Sequence, residues 1–179
     1  NSEKGSNIQH YWDNVDLAEA NIVLSNLFDC FELTIGRQFY GDEQECSIYA
    51  LLPSYLERQG SSLVYMAEHL IEASAGGGFY LHDYEKLLND MSRDPNPKLL
   101  LGVTYALLDL AENYAPKLEN TVVMETGGMK GRRKELPKSE LHAILCSAFG
   151  VNSIHSEYGM AELLSQAYSK GNGRFATPP

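Results

Sequence analysis

The chain has 179 residues, about one domain by the usual size range, and 44% of them are hydrophobic, as in an ordinary globular protein. With 24 acidic against 14 basic residues the formal net charge is −10, so the global field repels nucleic acid and anionic membranes, and any anionic ligand must be held locally. Cys30, Cys46 and Cys146 are odd in number and widely spaced, and no leader or bilayer-length apolar run is read, so reduced thiols in a cytoplasmic protein are expected.

The first nine residues are polar and read as a fraying end. From Asp16, the residues Leu17, Ala20, Ile22, Val23, Leu24, Leu27, Phe28, Phe31 and Ile35 recur at helical spacing, which makes residues 1–38 a helical segment, and Trp12 reads as a packing anchor. Residues 39–179 read as an α/β core. Cys46 to Leu52 is a short apolar run ending at Pro53, as a buried strand should. Ser61 or Ser62 caps a helix to about Ala73 that turns Leu63, Met66, Ala67, Leu70 and Ile71 inward. Gly76, Gly77 and Gly78 read as the turn ending that helix, ahead of a strand Phe79 to Leu81. His82 and Asp83 open a helix through Leu88, and Asp94-Pro95-Asn96-Pro97 breaks the chain before a strand Lys98 to Val103. Thr104 is placed to cap a helix Tyr105 to Asn113, and Pro116 leads into the next strand, Thr121 to Met124. Pro137 and Ser139 start a helix with Leu141, Ile144, Leu145 and Phe149 inward, closed by Gly150. A strand Ser153 to His155, a helical turn Met160 to Leu164 and a strand Gln166 to Ser169 follow. Strands alternating with helices predict an open, mainly parallel sheet with helices on both faces.

In such sheets ligands sit beyond the carboxyl ends of the strands. Two loops there carry unusual chemistry. After Met124 come Thr126, Gly127, Gly128, Met129 and Gly131, whose glycines allow positive φ and uncover N–H groups for an anion. Lys130, Arg132, Arg133 and Lys134 crowd the same segment; they read either as a phosphate grip or as a solvated turn. After His155 come Ser156, Glu157, Tyr158, Gly159, Met160 and Glu162. Here Tyr158 offers a face for a base, Gly159 close backbone approach, and Glu162 a carboxylate for Mg²⁺ or simply a favourable first-turn charge. None of the five histidines shows zinc-ligand spacing; His155 reads as structural or as a substrate contact.

Thr126-Gly127-Gly128, a helix, and then SEYGMAE together resemble the adenylate-forming superfamily of acyl- and aryl-CoA ligases and luciferases. The longer strings ALLPSYLERQGSSLVYM, METGGMKGRRKE and HSEYGMAELLSQAYS resemble more specifically the acyl-protein synthetase (LuxE) family, over roughly Phe39 to Phe175. The resemblance implies that the chain is part of a large N-terminal domain. It sets a Ser/Thr/Gly-rich phosphate loop before Asn1, and a ribose-binding aspartate, a hinge and a lid domain with the adenylation lysine after Pro179.

It further implies ATP- and Mg²⁺-dependent activation of a long-chain fatty acid to acyl-AMP, then transfer to a protein or carrier thiol such as that of a fatty-acyl reductase. Gly127 and Gly128 would line the adenine face, Tyr158 would stack on it, and Glu162 would be the catalytic and metal-binding carboxylate. Tyr55, Leu56, Ser61, Gly102 and Val103 would border the acyl substrate. Ala161 departs from the pattern, standing where the superfamily has a threonine that contacts the α-phosphate. That departure keeps open a second reading, a non-catalytic nucleotide- or carrier-binding module. A dinucleotide protein of similar topology has no support, because no G-x-G-x-x-G follows the first predicted strand.

Overall fold

In the computed structural model, the described residues are 46–53, 62–129, 131–159, 166–171 and 173–175. The predicted segment 1–38, the helical turn Met160 to Leu164, and Tyr55, Leu56, Ser61, Lys130 and Glu162 lie outside them.

Among the described residues, six strands and four helices follow in the order β1 Ser47–Leu51, α1 Ser62–Ala73, β2 Gly76–Tyr80, α2 Tyr84–Arg93, β3 Lys98–Val103, α3 Thr104–Tyr114, β4 Thr121–Thr126, α4 Lys138–Phe149, β5 Ile154–Gly159 and β6 Gln166–Ser169. They form one sheet of order β2-β1-β3-β4-β5-β6. The first four pairings are parallel and β6 returns antiparallel to β5. The fold is therefore α/β with a mixed, mostly parallel sheet.

The central strands explain this arrangement. β1 and β3 are buried along their whole length, as strands covered by helices on both faces must be, and their apolar runs leave no polar edge to show to water. The chain steps from β1 outward to β2, then back across to β3, β4 and β5. The right-handed rule for parallel crossovers puts α1 on one face and α2, α3 and α4 on the other. Accordingly α3 and α4 pack on each other. The core runs through Leu51, Leu99, Leu101, Val103, Leu107, Leu110, Met124, Leu145, Phe149 and Ile154, all but free of solvent. Two phenols fasten α2 and its exit to the sheet, Tyr80 donating to Asp90 at 2.6 Å and Tyr49 to Asp94 at 2.8 Å.

Several local expectations are corrected. Gly76 to Gly78 form the first part of β2 rather than a helix-ending turn. At Gly77, with φ of 110°, a Cβ would stand 1.9 Å from the carbonyl oxygen of Ile48, so the edge strand approaches β1 more closely than any side chain permits. Thr104 is the first residue of α3 rather than its cap, and the cap position, Val103, makes no side-chain bond. Ile144 is 37% exposed while Leu141, Leu145 and Phe149 are buried, so the inward stripe of α4 is narrower than the sequence implied. β5 continues through Gly159 because β6 pairs with it from Ser156 onward, which turns half of the predicted second loop into strand. Asp83 stands at the opening of α2, as expected, and caps it by accepting from Lys86 N at 3.0 Å, but the helix begins at Tyr84 and runs to Arg93 rather than Leu88.

Gly102 faces α3, and a Cβ there would meet Leu107 Cδ2 at 2.6 Å. Gly102→Ala should lower the unfolding free energy by about 1–3 kcal/mol through overpacking. In a Leu107→Ala background, the same substitution should cost clearly less in denaturant titrations.

Candidate functional site at the carboxyl rim of the sheet

Parallel pairing of β4 with β5 sets Glu125 beside Ser156 and Thr126 beside Glu157. The next residues, Gly127 and Tyr158, leave this pair at the same rim. Tyr158 is 54% exposed, with its ring edge-on to Phe175 at 6.2 Å between centroids. Gly127 takes φ of 70° and Gly131 φ of 73°, the left-handed values that favour glycine. Gly128 is half-buried, and a Cβ there would only touch the Glu135 carboxylate at 3.7 Å. Met129, by contrast, is buried in the core and anchors the turn, which closes from Arg132 N to Met129 O at 2.9 Å.

Strand alternation divides the rim into two faces. On the α3–α4 face lies Glu125, fully buried, whose carboxylate contacts Lys138 Nζ at the start of α4. Thr104 Oγ1 lies 3.1 Å from Glu125 Oε2, and the carbonyl oxygens of Thr126 and Gly127 are also within its reach at 3.4 and 3.3 Å. His142 Nε2 stands 3.6 Å from Glu125 Oε1 and 3.4 Å from Ser156 Oγ. Burial pushes the Glu125 carboxyl upward, but hydrogen bonds from His142, Lys138 and Ser156 outweigh it and hold the pKa below the ordinary 4.5. Ser156, His142 and Glu125 do not make a nucleophilic relay. Both contacts fall on the same ring nitrogen, whereas a relay needs the acid on one nitrogen and the hydroxyl on the other.

On the opposite face, Thr126 Oγ1 donates to Glu157 Oε2 at 2.5 Å. Glu157 is buried, and desolvation raises its pKa above 4.5 despite the Thr126 bond and the charge of Lys138, with the charge of Glu125 adding to the rise. Two glutamates on neighbouring strands thus have opposite electrostatics. Val103 lies level with Thr126 and is fully buried, and Gly102 is filled against by Leu107.

Two of the four basic residues engage α3. Arg133 pairs with Asp109 of α3 and makes a two-pronged bond to Glu112, at 2.7 and 2.8 Å, while Arg132 lies 4.6 Å from the centre of the Tyr105 ring. His155 is one level below the rim, held neutral with its pKa pushed down to about 4 by burial. Burial also raises the thiols of Cys46, to about 11, and Cys146, which disfavours the thiolate at both. Among the described residues no cluster of three or more His, Cys, Asp or Glu could hold a metal ion, and no helix is long and apolar enough to cross a membrane. A hollow of about 360 Å³ lined in part by Leu88, Met91, Lys98, Lys117 and Thr121 lies at the amino rim, where strand polarity does not direct ligands.

Glu125, Thr104, Lys138 and His142 are the rim residues that sequence reasoning missed. Glu125 directly follows an apolar run, which was the available sign that a charge was entering the sheet.

No family model matches the sequence, and no curated protein sequence matches it. Among solved structures, a mutant form of coronafacic acid ligase from Pectobacterium brasiliense aligns with a TM-score of 0.54 and 15% identity over 83% of this chain. The aligned part is 28% of that ligase chain. The likeness establishes a shared α/β fold, and the chain compares with just over a quarter of the ligase.

The two glutamates give opposite pH signatures. Glu125, with its pKa lowered in the folded state, contributes stability above about pH 4.5 that is lost as pH falls through the folded value. Glu125→Gln should therefore cost about 1–3 kcal/mol at pH 7, a gap that closes on acidification. Glu157, with its pKa raised, contributes stability below about pH 4.5 that is lost as pH rises through the folded value. Glu157→Gln should hold or increase stability at pH 7, as denaturant titrations across pH 3–8 would show.

Proposed function

We propose that this chain is the nucleotide- and acyl-binding core of an adenylate-forming acid ligase of the acyl-protein synthetase type. In this reading the parent protein activates a long-chain fatty acid with ATP to acyl-AMP and passes the acyl group to a protein or carrier thiol, with a fatty-acyl reductase as the acceptor. The observation that carries it is the meeting of the diglycine turn and the tyrosine strand at one carboxyl rim. The fold shared with an acid ligase supports the same reading.

The rim residues fit the nucleotide half of that chemistry. Exposed Gly127 and Tyr158 leave room for a purine against backbone and ring, and base stacking on an aromatic is worth roughly 1–3 kcal/mol. Bringing a carboxylate up to a triphosphate demands fixed positive potential, which backbone N–H groups of the turn supply without reorganisation. Mg²⁺ would offset the phosphate charge, with Glu162 as its ligand as the resemblance implies; Glu125 and Glu157 are turned inward onto Lys138 and Thr126. Tyr55, Leu56 and Ser61 with Gly102 and Val103 would border the acyl chain, and a reaction using ATP and reduced thiols belongs in the cytoplasm. The alternative, a non-catalytic nucleotide- or carrier-binding module, is favoured by one feature, Ala161 in place of a hydroxyl donor.

Fatty-acid-dependent exchange of pyrophosphate into ATP by the parent protein tests the reading, and no exchange together with no ATP or AMP binding rejects it. Tyr158→Ala should weaken AMP binding by about tenfold while Tyr158→Phe retains it. Ala161→Thr should change the exchange rate of an enzyme and leave a scaffold inert, which separates the two alternatives.

A further inference from the structure

The loop from Gly127 to Pro137 carries the densest positive charge in an acidic chain, and its two arginines turn back onto the protein. Its two ends are joined by the contact of Glu125, just before it, with Lys138, just after it. Its middle is joined to α3 by the Arg133 fork on Glu112 and the contact with Asp109. Between these points Met129 is buried, Leu136 packs on the core and Arg132 covers the Tyr105 ring. Thr104, the first residue of α3, reaches both the Glu125 carboxylate and the Gly127 carbonyl, so the helix that receives Arg133 also touches the turn itself.

We propose that Arg133 with Asp109 and Glu112, and Lys138 with Glu125, are positioning residues that fasten this loop at two places and preset the diglycine turn. The charge of Arg133 is spent inside the protein, and the turn offers a ligand its backbone instead. This rests on the nucleotide-binding reading for its purpose, but the fastening itself is independent of any ligand. A planar guanidinium bound by two carboxylates fixes direction as well as distance, which a lysine at the same place would not do.

A comparison of two ways of breaking the fork tests this in the protein as it stands. Arg133→Gln removes the cation, whereas Asp109→Asn with Glu112→Gln removes its partners and frees the cation. Both should speed backbone amide exchange across residues 127–137 by roughly 3- to 10-fold without nucleotide, the range for a partly exposed bidentate pair. Both should raise the KM for ATP in pyrophosphate exchange by a similar factor with kcat little changed, Arg133→Lys should recover part of the loss, and combining all three substitutions should add nothing further. If freeing Arg133 leaves ATP binding unchanged or tighter while Arg133→Gln weakens it, the guanidinium serves the phosphates and the proposal is wrong. Unchanged amide exchange in both variants would equally overturn it. Should the wild-type protein bind no nucleotide, the exchange measurement still decides the fastening, and only the ligase reading falls.

Discussion

The pairing of β4 with β5 is the constraint on which the site depends. Because parallel strands side by side end at the same rim, the register of Thr126 against Glu157 forces the diglycine turn and Tyr158 into adjacency, although 29 residues and a whole helix lie between Gly128 and Tyr158 in sequence. A slip of β4 by one residue would turn Glu125 toward the other face, away from Lys138 and His142. The buried charge therefore helps to fix the register, and the register makes the site.

The two glutamates show how one rim can hold opposite electrostatics a few ångströms apart. Glu125 has an ammonium, an imidazole and two hydroxyls around it, so its buried charge is compensated from three elements at once. Glu157 has the Thr126 hydroxyl and a repelling neighbour. Losing one partner of a compensated buried charge is costly, while a lone buried carboxyl relieves its own cost by keeping its proton. The α3–α4 side of the rim is accordingly the braced side.

Much of this was legible in the sequence, and for identifiable reasons. Lys98–Val103 was bounded correctly because a strand covered on both faces is a continuous apolar run stopped by turn residues. The four-residue strand Gln166–Ser169 was likewise found, though its antiparallel direction was not. β5 was cut short because Ser156, Glu157 and Tyr158 look like loop residues; their extended conformation comes from β6, a partner that local pattern does not reveal. The triple glycine failed for a related reason: its shape is set by the approach of Ile48, a tertiary contact.

Of the candidate site, sequence located the residues that face outward and missed those that hold them. Gly127, Gly128 and Tyr158 stand out by type, although a Tyr-Gly pair is also common in ordinary turns. Glu125 reads as an ordinary polar residue until three elements close around it, and Arg133 reads equally as a phosphate grip or a solvated charge until α3 supplies Asp109 and Glu112. Charge in a sequence tells how much positive potential a loop carries; whether that potential faces a ligand or the loop's own fastenings is settled by packing. In an acidic chain the second use is the natural one, because neighbouring carboxylates are abundant and each fixed pair removes freedom that the turn would otherwise have to lose on binding.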